Sequence, residues 1–127
     1  MLSDPYWAYL QETIAASRIV VHSVLQPGER GNDAGYIRGQ LFFADSSRLH
    51  FREYIDFEDG IERLMYSFHY MDSDRRLIFR YDNVAHHPHI ATHPHHKHEG
   101  SETNVIPSTP PTLTDVLEEI GQMIQLP

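Results

Sequence analysis

The chain reads Leu49-His-Phe-Arg-Glu-Tyr-Ile-Asp-Phe57, and the turn Glu58-Asp59-Gly60 follows at once. Apolar and polar side chains alternate along this stretch, which is typical of a β-strand with one buried face. An Asp-Gly pair between two alternating segments is a strong hairpin signal. After the turn the period of two resumes, with one face formed by Leu64, Tyr66, Phe68 and Tyr70. The sequence therefore predicts an antiparallel hairpin in the middle of the chain.

The same alternation continues on both sides of this hairpin. It covers residues 19–25 and 36–43 before the hairpin and residues 77–81 after it, with turn-forming residues between the segments. Because short turns join antiparallel neighbours, we expect a five-stranded antiparallel meander. Residues 84–111 hold five prolines, which helix interiors and central strands exclude. We expect a long loop there, without regular structure.

Helical spacing replaces the period of two near both ends of the chain. Trp7, Leu10 and Ile14 predict a short amphipathic helix over residues 4–17. A second apolar stripe is formed by Leu113, Val116, Leu117, Ile120, Met123 and Ile124. A helix with one apolar face must bury it, so we expect this C-terminal helix to pack on the sheet. The predicted fold class is α+β, as one domain over residues 1–127.

Composition and charge restrict the kinds of functional site that the chain can form. The chain has no cysteine, which excludes disulfides, thiolate metal sites and cysteine nucleophiles. No secretory signal is visible, and no apolar run approaches the roughly 20 residues that span a bilayer, so we expect a cytoplasmic protein without membrane association. The net charge is −8, yet residues 75–98 carry four basic side chains against one acidic one. An acidic body thus bears one basic segment.

Histidine is concentrated in that basic segment. Seven of the ten histidines fall within thirteen residues: His86, His87, His89, His93, His95, His96 and His98. Imidazole suits proton transfer near neutral pH and metal ligation alike. The segment is therefore consistent with an acid–base site, with a metal site, or with a solvated loop that has no chemistry. An extended backbone would place His96 and His98 on a common side.

Four polar residues stand out on the predicted strands. Glu53 lies in an apolar row, where an unpaired carboxylate is costly. One interpretation gives it Arg80 or a histidine as partner, and the other places it at a strand edge or on a bulge that turns it outward. By period-two counting, Arg80, Asp82 and His69 share the opposite face. Arginine suits phosphate or carboxylate because its guanidinium donates two parallel hydrogen bonds. Asp82 is suited to orienting an imidazole.

Several blocks of the sequence resemble the TumE-type toxin family of toxin–antitoxin modules. The most specific are Arg80-Tyr-Asp-Asn83 and Pro94-His-His-Lys-His98, and the resemblance runs from about residue 18 to the last helix. It implies a small helix-turn-helix antitoxin as partner and interference with RNA or translation as the activity. The residues to which it points are Arg80, Asp82, Asn83, His86, His87, His95, His96, Lys97 and His98.

The leading hypothesis is a toxin that acts as a metal-independent ribonuclease and needs no cofactor. Arg80 and Lys97 would bind phosphate, and Asp82 would orient an imidazole. The acid–base pair would combine one of His86 and His87 with one of His95, His96 and His98. The first alternative is a protein in which the same five histidines hold Zn or Ni. The second is a non-enzymatic interaction module, and a homodimer stays open under each hypothesis.

Overall fold

The computed structural model describes residues 4–124, which form two helices and one antiparallel sheet with strand order β1-β2-β3-β4-β5-β6-β7. The elements are α1 (Asp4–Ala16), β1 (Val20–Arg30), β2 (Ala34–Phe43), β3 (Arg48–Asp56), β4 (Glu62–Met71), β5 (Leu77–Asp82), β6 (His96–Glu99), β7 (Val105–Pro107) and α2 (Leu113–Met123). The predicted α+β class is confirmed, although the meander has seven strands rather than five. No helix in residues 4–124 is long and apolar enough to cross a membrane.

The core lies on the face of the sheet that the helices cover. Alternate residues of β2, β3 and β4 are buried there, as their period of two predicts. Helix α2 contributes a buried stripe formed by Leu113, Val116, Leu117 and Ile120. Its first turn is closed by a reciprocal capping box between Thr112 and Asp115. Within residues 4–124 no helix covers the opposite face of the sheet, which is called the open face below.

The prediction of a structureless loop over residues 84–111 is wrong in part. Strands β6 and β7 form within it, and β6 pairs with β5. The prolines do not interrupt β6, since the strand begins two residues after Pro94 and ends well before Pro107. Pro107 ends β7, the last strand of the sheet, where a missing N–H costs no ladder hydrogen bond.

One residue of the opening hairpin also departs from its predicted position. Leu64 is 45% exposed and does not join Tyr66 on the buried face. The pairing shifts by one residue, since Tyr54 lies opposite Met65 while Ile55 lies opposite Arg63. Leu64 is the extra residue of this bulge, and bulges redirect side chains. Arg63 is thereby directed toward the helix-covered face.

Candidate functional site

Strands β5 and β6 place the predicted site residues on the open face. Their register sets Arg80 opposite His98 and Asp82 opposite His96. His69 of β4 lies opposite Arg80, so the predicted common face of His69, Arg80 and Asp82 is confirmed. His96 and His98 are 2% and 4% exposed. The open face thus holds a buried polar cluster at its β5–β6 end.

The segment between β5 and β6 adds a third imidazole to the cluster. Its start is tied down where the Val84 N–H donates to Asp82 Oδ1 at 3.0 Å. The ring of His87 meets the rings of His96 and His98 edge-on, with centroid distances of 4.8 and 5.7 Å. One ligating atom from each of these three histidines lies within 4.8 Å of the others. We call His87, His96 and His98 the histidine cluster.

Backbone carbonyls determine which ring nitrogens of the cluster carry hydrogen. Nδ1 of His96 lies 2.9 Å from the carbonyl oxygen of Pro94, and Nδ1 of His98 lies 2.9 Å from that of Glu102. A carbonyl oxygen only accepts, so both Nδ1 atoms donate. Both Nε2 atoms therefore face the interior of the cluster, 3.2 Å apart. A neutral pair would place two lone pairs against each other at this distance.

The neighbours of the two Nε2 atoms resolve this conflict. Arg80 Nη2 lies 3.1 Å from His98 Nε2, and because a guanidinium only donates, His98 Nε2 accepts. His96 Nε2 lies 3.0 Å from Asp82 Oδ1, which only accepts. With a hydrogen on Nε2, His96 would donate to Asp82 Oδ1, and the single lone pair of His98 Nε2 would accept from Arg80. A metal cation is the other species that could satisfy the converging lone pairs.

Arg80 is held from two sides by carboxylates. Its Nε donates to Asp82 Oδ2 at 3.1 Å, and its Nη1 donates to Glu102 Oε1 at 2.6 Å. The hydrogen bond from Arg80 lowers the pKa of Glu102. Glu102 is more than half exposed, unlike Asp82. Of the two carboxylates that hold Arg80, Glu102 is therefore the one that solvent reaches.

His87 of the histidine cluster and the nearby His69 are both biased toward the neutral form. Partial burial, followed by the neighbouring His96 and His98, lowers the pKa of His87. Burial and the adjacent Arg80 likewise lower the pKa of His69. A neutral imidazole has a free nitrogen lone pair at neutral pH. His87 is thus suited to accept a proton or to bind a metal ion.

A cleft of about 370 Å³ gives access to the cluster from the open face. It is lined by His87, His96, His98, Arg80 and Asp82, and also by His86 and Arg52. The structure therefore brings together most of the predicted site. His86 lies at the exposed rim rather than in the cluster.

Lys97 and His95 lie elsewhere. Lys97 is on the opposite face of β6, where its Nζ donates to Glu119 Oε2 at 2.7 Å. The expectation that Lys97 binds phosphate together with Arg80 is corrected, because neighbouring residues of a strand point to opposite faces. His95 stacks on Tyr66, whose hydroxyl lies 2.9 Å from His95 Nδ1. Neither residue belongs to the histidine cluster.

Glu53 and Asn83 have structural environments. Glu53 is 1% exposed, and its partners are Arg63 at 2.9 Å and the Tyr6 hydroxyl at 2.5 Å. The expectation of Arg80 or a histidine as its partner is corrected, since the bulge at Leu64 delivers Arg63 instead. Asn83 accepts from the Tyr66 N–H and donates to the Leu64 carbonyl, which ties the end of β5 to β4.

Sequence reasoning missed two residues of the site. Glu102 reaches Arg80 only because β6 and β7 form a hairpin, which the proline content argued against. Arg52 lines the cleft from β3. Its signal was available, because Arg52 alternates with Phe51 and must share the face opposite to the core.

A sheet backed by helices on one face, with a histidine-lined basic cleft on the other, defines a small α+β protein whose polar site lies on an uncovered sheet face. The chain matches the family model for Toxin TumE over residues 10–124. It belongs to this toxin family, and a toxin of this kind implies an antitoxin partner. No curated protein and no solved structure matches it.

Proposed function

We propose that this toxin cleaves RNA at the histidine cluster. The observation that carries the proposal is the convergence of three imidazoles with Arg80 and Asp82 in one cleft on the open face. An arginine beside groups that hold and accept protons matches the needs of phosphodiester transfer, in which negative charge develops on the phosphate.

The arrangement suits a metal-independent transesterification. Arg80 would bind the scissile phosphate after displacing Glu102. His87 would take the proton of the ribose 2′-hydroxyl, whose oxygen attacks phosphorus and forms a cyclic phosphate as the bond to the 5′ oxygen breaks. His96 would give its Nε2 proton to that leaving oxygen. Asp82 would orient His96 and stabilise the positive charge that the ring carries while it holds this proton.

Cleavage of a fluorescent single-stranded RNA by untagged, antitoxin-free protein tests this proposal. We expect His96→Asn and Asp82→Asn to lower the rate by about 10²-fold or more, since a positioned acid or base contributes that much. His22→Gln on β1, far from the cleft, is the matched control. If wild-type protein cleaves no RNA with or without chelator, or if His96→Asn cleaves like wild type, the ribonuclease proposal fails.

A second candidate function, metal-dependent hydrolysis, is favoured by the orientation of the rings. Histidine ligands in metal sites typically donate their second nitrogen to a carbonyl or carboxylate, and His96 and His98 do so through Nδ1. Three imidazoles are a sufficient protein ligand set for catalytic zinc. The cation would take the place of the proton on His96 Nε2.

Titration calorimetry of chelator-stripped protein with Zn²⁺ and Ni²⁺ separates the two candidates. The metal hypothesis expects one ion per chain and at least a 10-fold loss of affinity in His98→Ala, with His22→Gln unchanged. It also expects chelator to abolish RNA cleavage, whereas the metal-independent mechanism expects cleavage to persist. The absence of stoichiometric binding would exclude the metal hypothesis.

We also propose that the antitoxin is a basic helix-turn-helix protein. The residues outside the segment 75–98 carry most of the acidic side chains, and opposite charge accelerates association. Co-expression with the adjacent reading frame should yield a complex and restore growth. If His96→Asn remains fully toxic, the protein acts instead as a non-enzymatic interaction module.

A further inference from the structure

The open face continues beyond the cleft as two rows of polar side chains that cross the strands. The strand registers place one row along Arg38, Arg52, Ser67, Asp82 and His96. The second row runs beside it along Gln40, His50, His69, Arg80 and His98. Both rows end in the histidine cluster, so the site is one end of a polar band that extends over β2–β6.

Arg38 and Arg52 are paired in a way that folding alone does not explain. They lie directly opposite each other on β2 and β3, and both are exposed. Like charges in this position repel each other. Within residues 4–124, neither forms an ion pair, whereas Arg63 and Arg80 do. An anion bound between the two guanidinium groups would relieve the repulsion.

The shape of the open face supports one continuous binding surface. A groove of about 380 Å³ lies over β1–β4 and includes Arg38 and His50. It shares Arg52, Ser67 and His69 with the cleft of the histidine cluster. Adjacent strands are about 4.8 Å apart. The backbone positions of Arg52 and Arg38 therefore lie roughly 10 and 14 Å from that of Asp82, the residue of the same row on β5.

His50 and His69, which lie beside Arg52 and Arg80 on the open face, are suited to stacking on nucleic-acid bases rather than to binding phosphates. Burial and nearby arginines lower the pKa of His50 and of His69, which favours neutral rings at neutral pH. Neutral aromatic rings on a sheet surface stack with unpaired bases, and arginines beside them hold the backbone. This combination is expected for a single-stranded nucleic acid, whereas an acidic peptide would engage the arginines but has no bases to stack on the rings.

We propose that single-stranded RNA crosses the open face at right angles to the strands, with one phosphate at Arg80 and a further phosphate between Arg52 and Arg38. The position of the scissile bond at Arg80 rests on the proposed ribonuclease function. The extended binding surface does not, because it can be measured without cleavage.

Fluorescence anisotropy with a short 2′-O-methyl oligoribonucleotide, which cannot undergo transesterification, tests the surface directly. Arg38→Gln/Arg52→Gln should weaken binding by about 10-fold, and the slope of log K against log salt should fall by about 0.7, as expected for the loss of one phosphate contact. Arg18→Gln, an exposed arginine near the helices, should leave both quantities unchanged. Thermal unfolding of each variant verifies that it folds.

The outcomes separate this inference from the proposed function. If His96→Asn binds the oligonucleotide like wild type, and neither of these two proteins cleaves RNA, the binding surface stands and the ribonuclease function fails. The binding surface is overturned if the double variant binds like wild type, or if Arg18→Gln weakens binding equally. It is also overturned if an acidic peptide competes as well as the oligonucleotide.

Discussion

Glu53 illustrates how single residues in this fold meet conflicting demands. Its carboxylate is buried on the helix-covered face, where an unpaired charge would be costly. Arg63 and the Tyr6 hydroxyl satisfy it from β4 and α1. Burial, followed by the charge of Glu53, raises the pKa of Tyr6 well above its usual range. One carboxylate therefore links three elements of the structure.

Replacement of this carboxylate should destabilise the protein strongly. Glu53→Ala leaves Arg63 without its partner, and loss of one member of a buried pair costs about 3 kcal/mol. Urea denaturation measures the effect. Glu58→Ala, at the exposed turn after β3, should change the free energy of unfolding by less than about 0.5 kcal/mol. A loss at Glu53 as small as that at Glu58 would contradict the structural role.

His50 and His69 should make folding stability sensitive to mild acid. Both have a pKa lowered below the ordinary value of 6.5. As pH falls through that value, the unfolded chain takes up protons that the folded chain does not, so the folded state loses stability. Relative to His50→Gln/His69→Gln, wild type should lose free energy of unfolding between about pH 7.5 and about pH 5.5.

Urea midpoints at both pH values provide this measurement. The range ends above the region in which Glu102, whose pKa is lowered by Arg80, takes up a proton. An unchanged difference between wild type and the double variant across the range would show that the two rings titrate as they do in an unfolded chain.

Strand β6 decides which of its residues reach the site. His96 and His98 lie on the open face, while Lys97 lies on the other face and contacts Glu119 and Glu99. Burial opposes the charge of Lys97, but the hydrogen bonds to these two glutamates raise its pKa. Four successive residues thus divide between a functional surface and the packing of α2.

Lys97→Met should therefore affect stability and leave the site intact. Loss of a half-buried ion pair costs about 1 kcal/mol, which corresponds to a Tm lower by about 4 °C for a domain of this size. RNA binding and metal affinity should equal those of wild type. Arg80→Met, by contrast, should weaken RNA binding. If Lys97→Met lost RNA binding at an unchanged Tm, the assignment of Lys97 to the α2 side would be wrong.

Strand β6 also shows why a local sequence pattern does not predict every strand of this sheet. In this short segment histidine alternates with charged residues, but neither face is apolar. The flanking prolines also favoured a loop. The strand exists because β5 offers a free edge and because Asp82 and Arg80 satisfy the two buried imidazoles. Such partners come from distant residues, so a local pattern cannot reveal them.

The whole molecule is a meander in which burial is greatest at the central strands. In β3 and β4 alternate residues are buried, whereas β1 is exposed over most of its length. Local opening requires least energy where few buried contacts are lost. We expect hydrogen exchange to be slowest at the amides of β3 and β4 and faster at those of β1 and β7. Equal protection in β1 and β3 would contradict this order.

The sequence by itself determined the α+β class, the central meander, both helices and the common face of His69, Arg80 and Asp82. These features follow from local periodicity, because side-chain direction repeats every two residues in strands and every 3.6 in helices. It also pointed to five histidines through composition and family resemblance, namely His86, His87, His95, His96 and His98. The common side of His96 and His98 in an extended backbone was visible as well, although the prolines favoured a loop there.

Only the tertiary structure decided which of these residues act together. The β5–β6 register placed His96 and His98 beside Asp82 and Arg80, and separated them from Lys97. A one-residue bulge gave Glu53 its partner Arg63. Pairing register and bulges depend on contacts between residues far apart in the chain, and one shifted residue reverses the face of every side chain that follows.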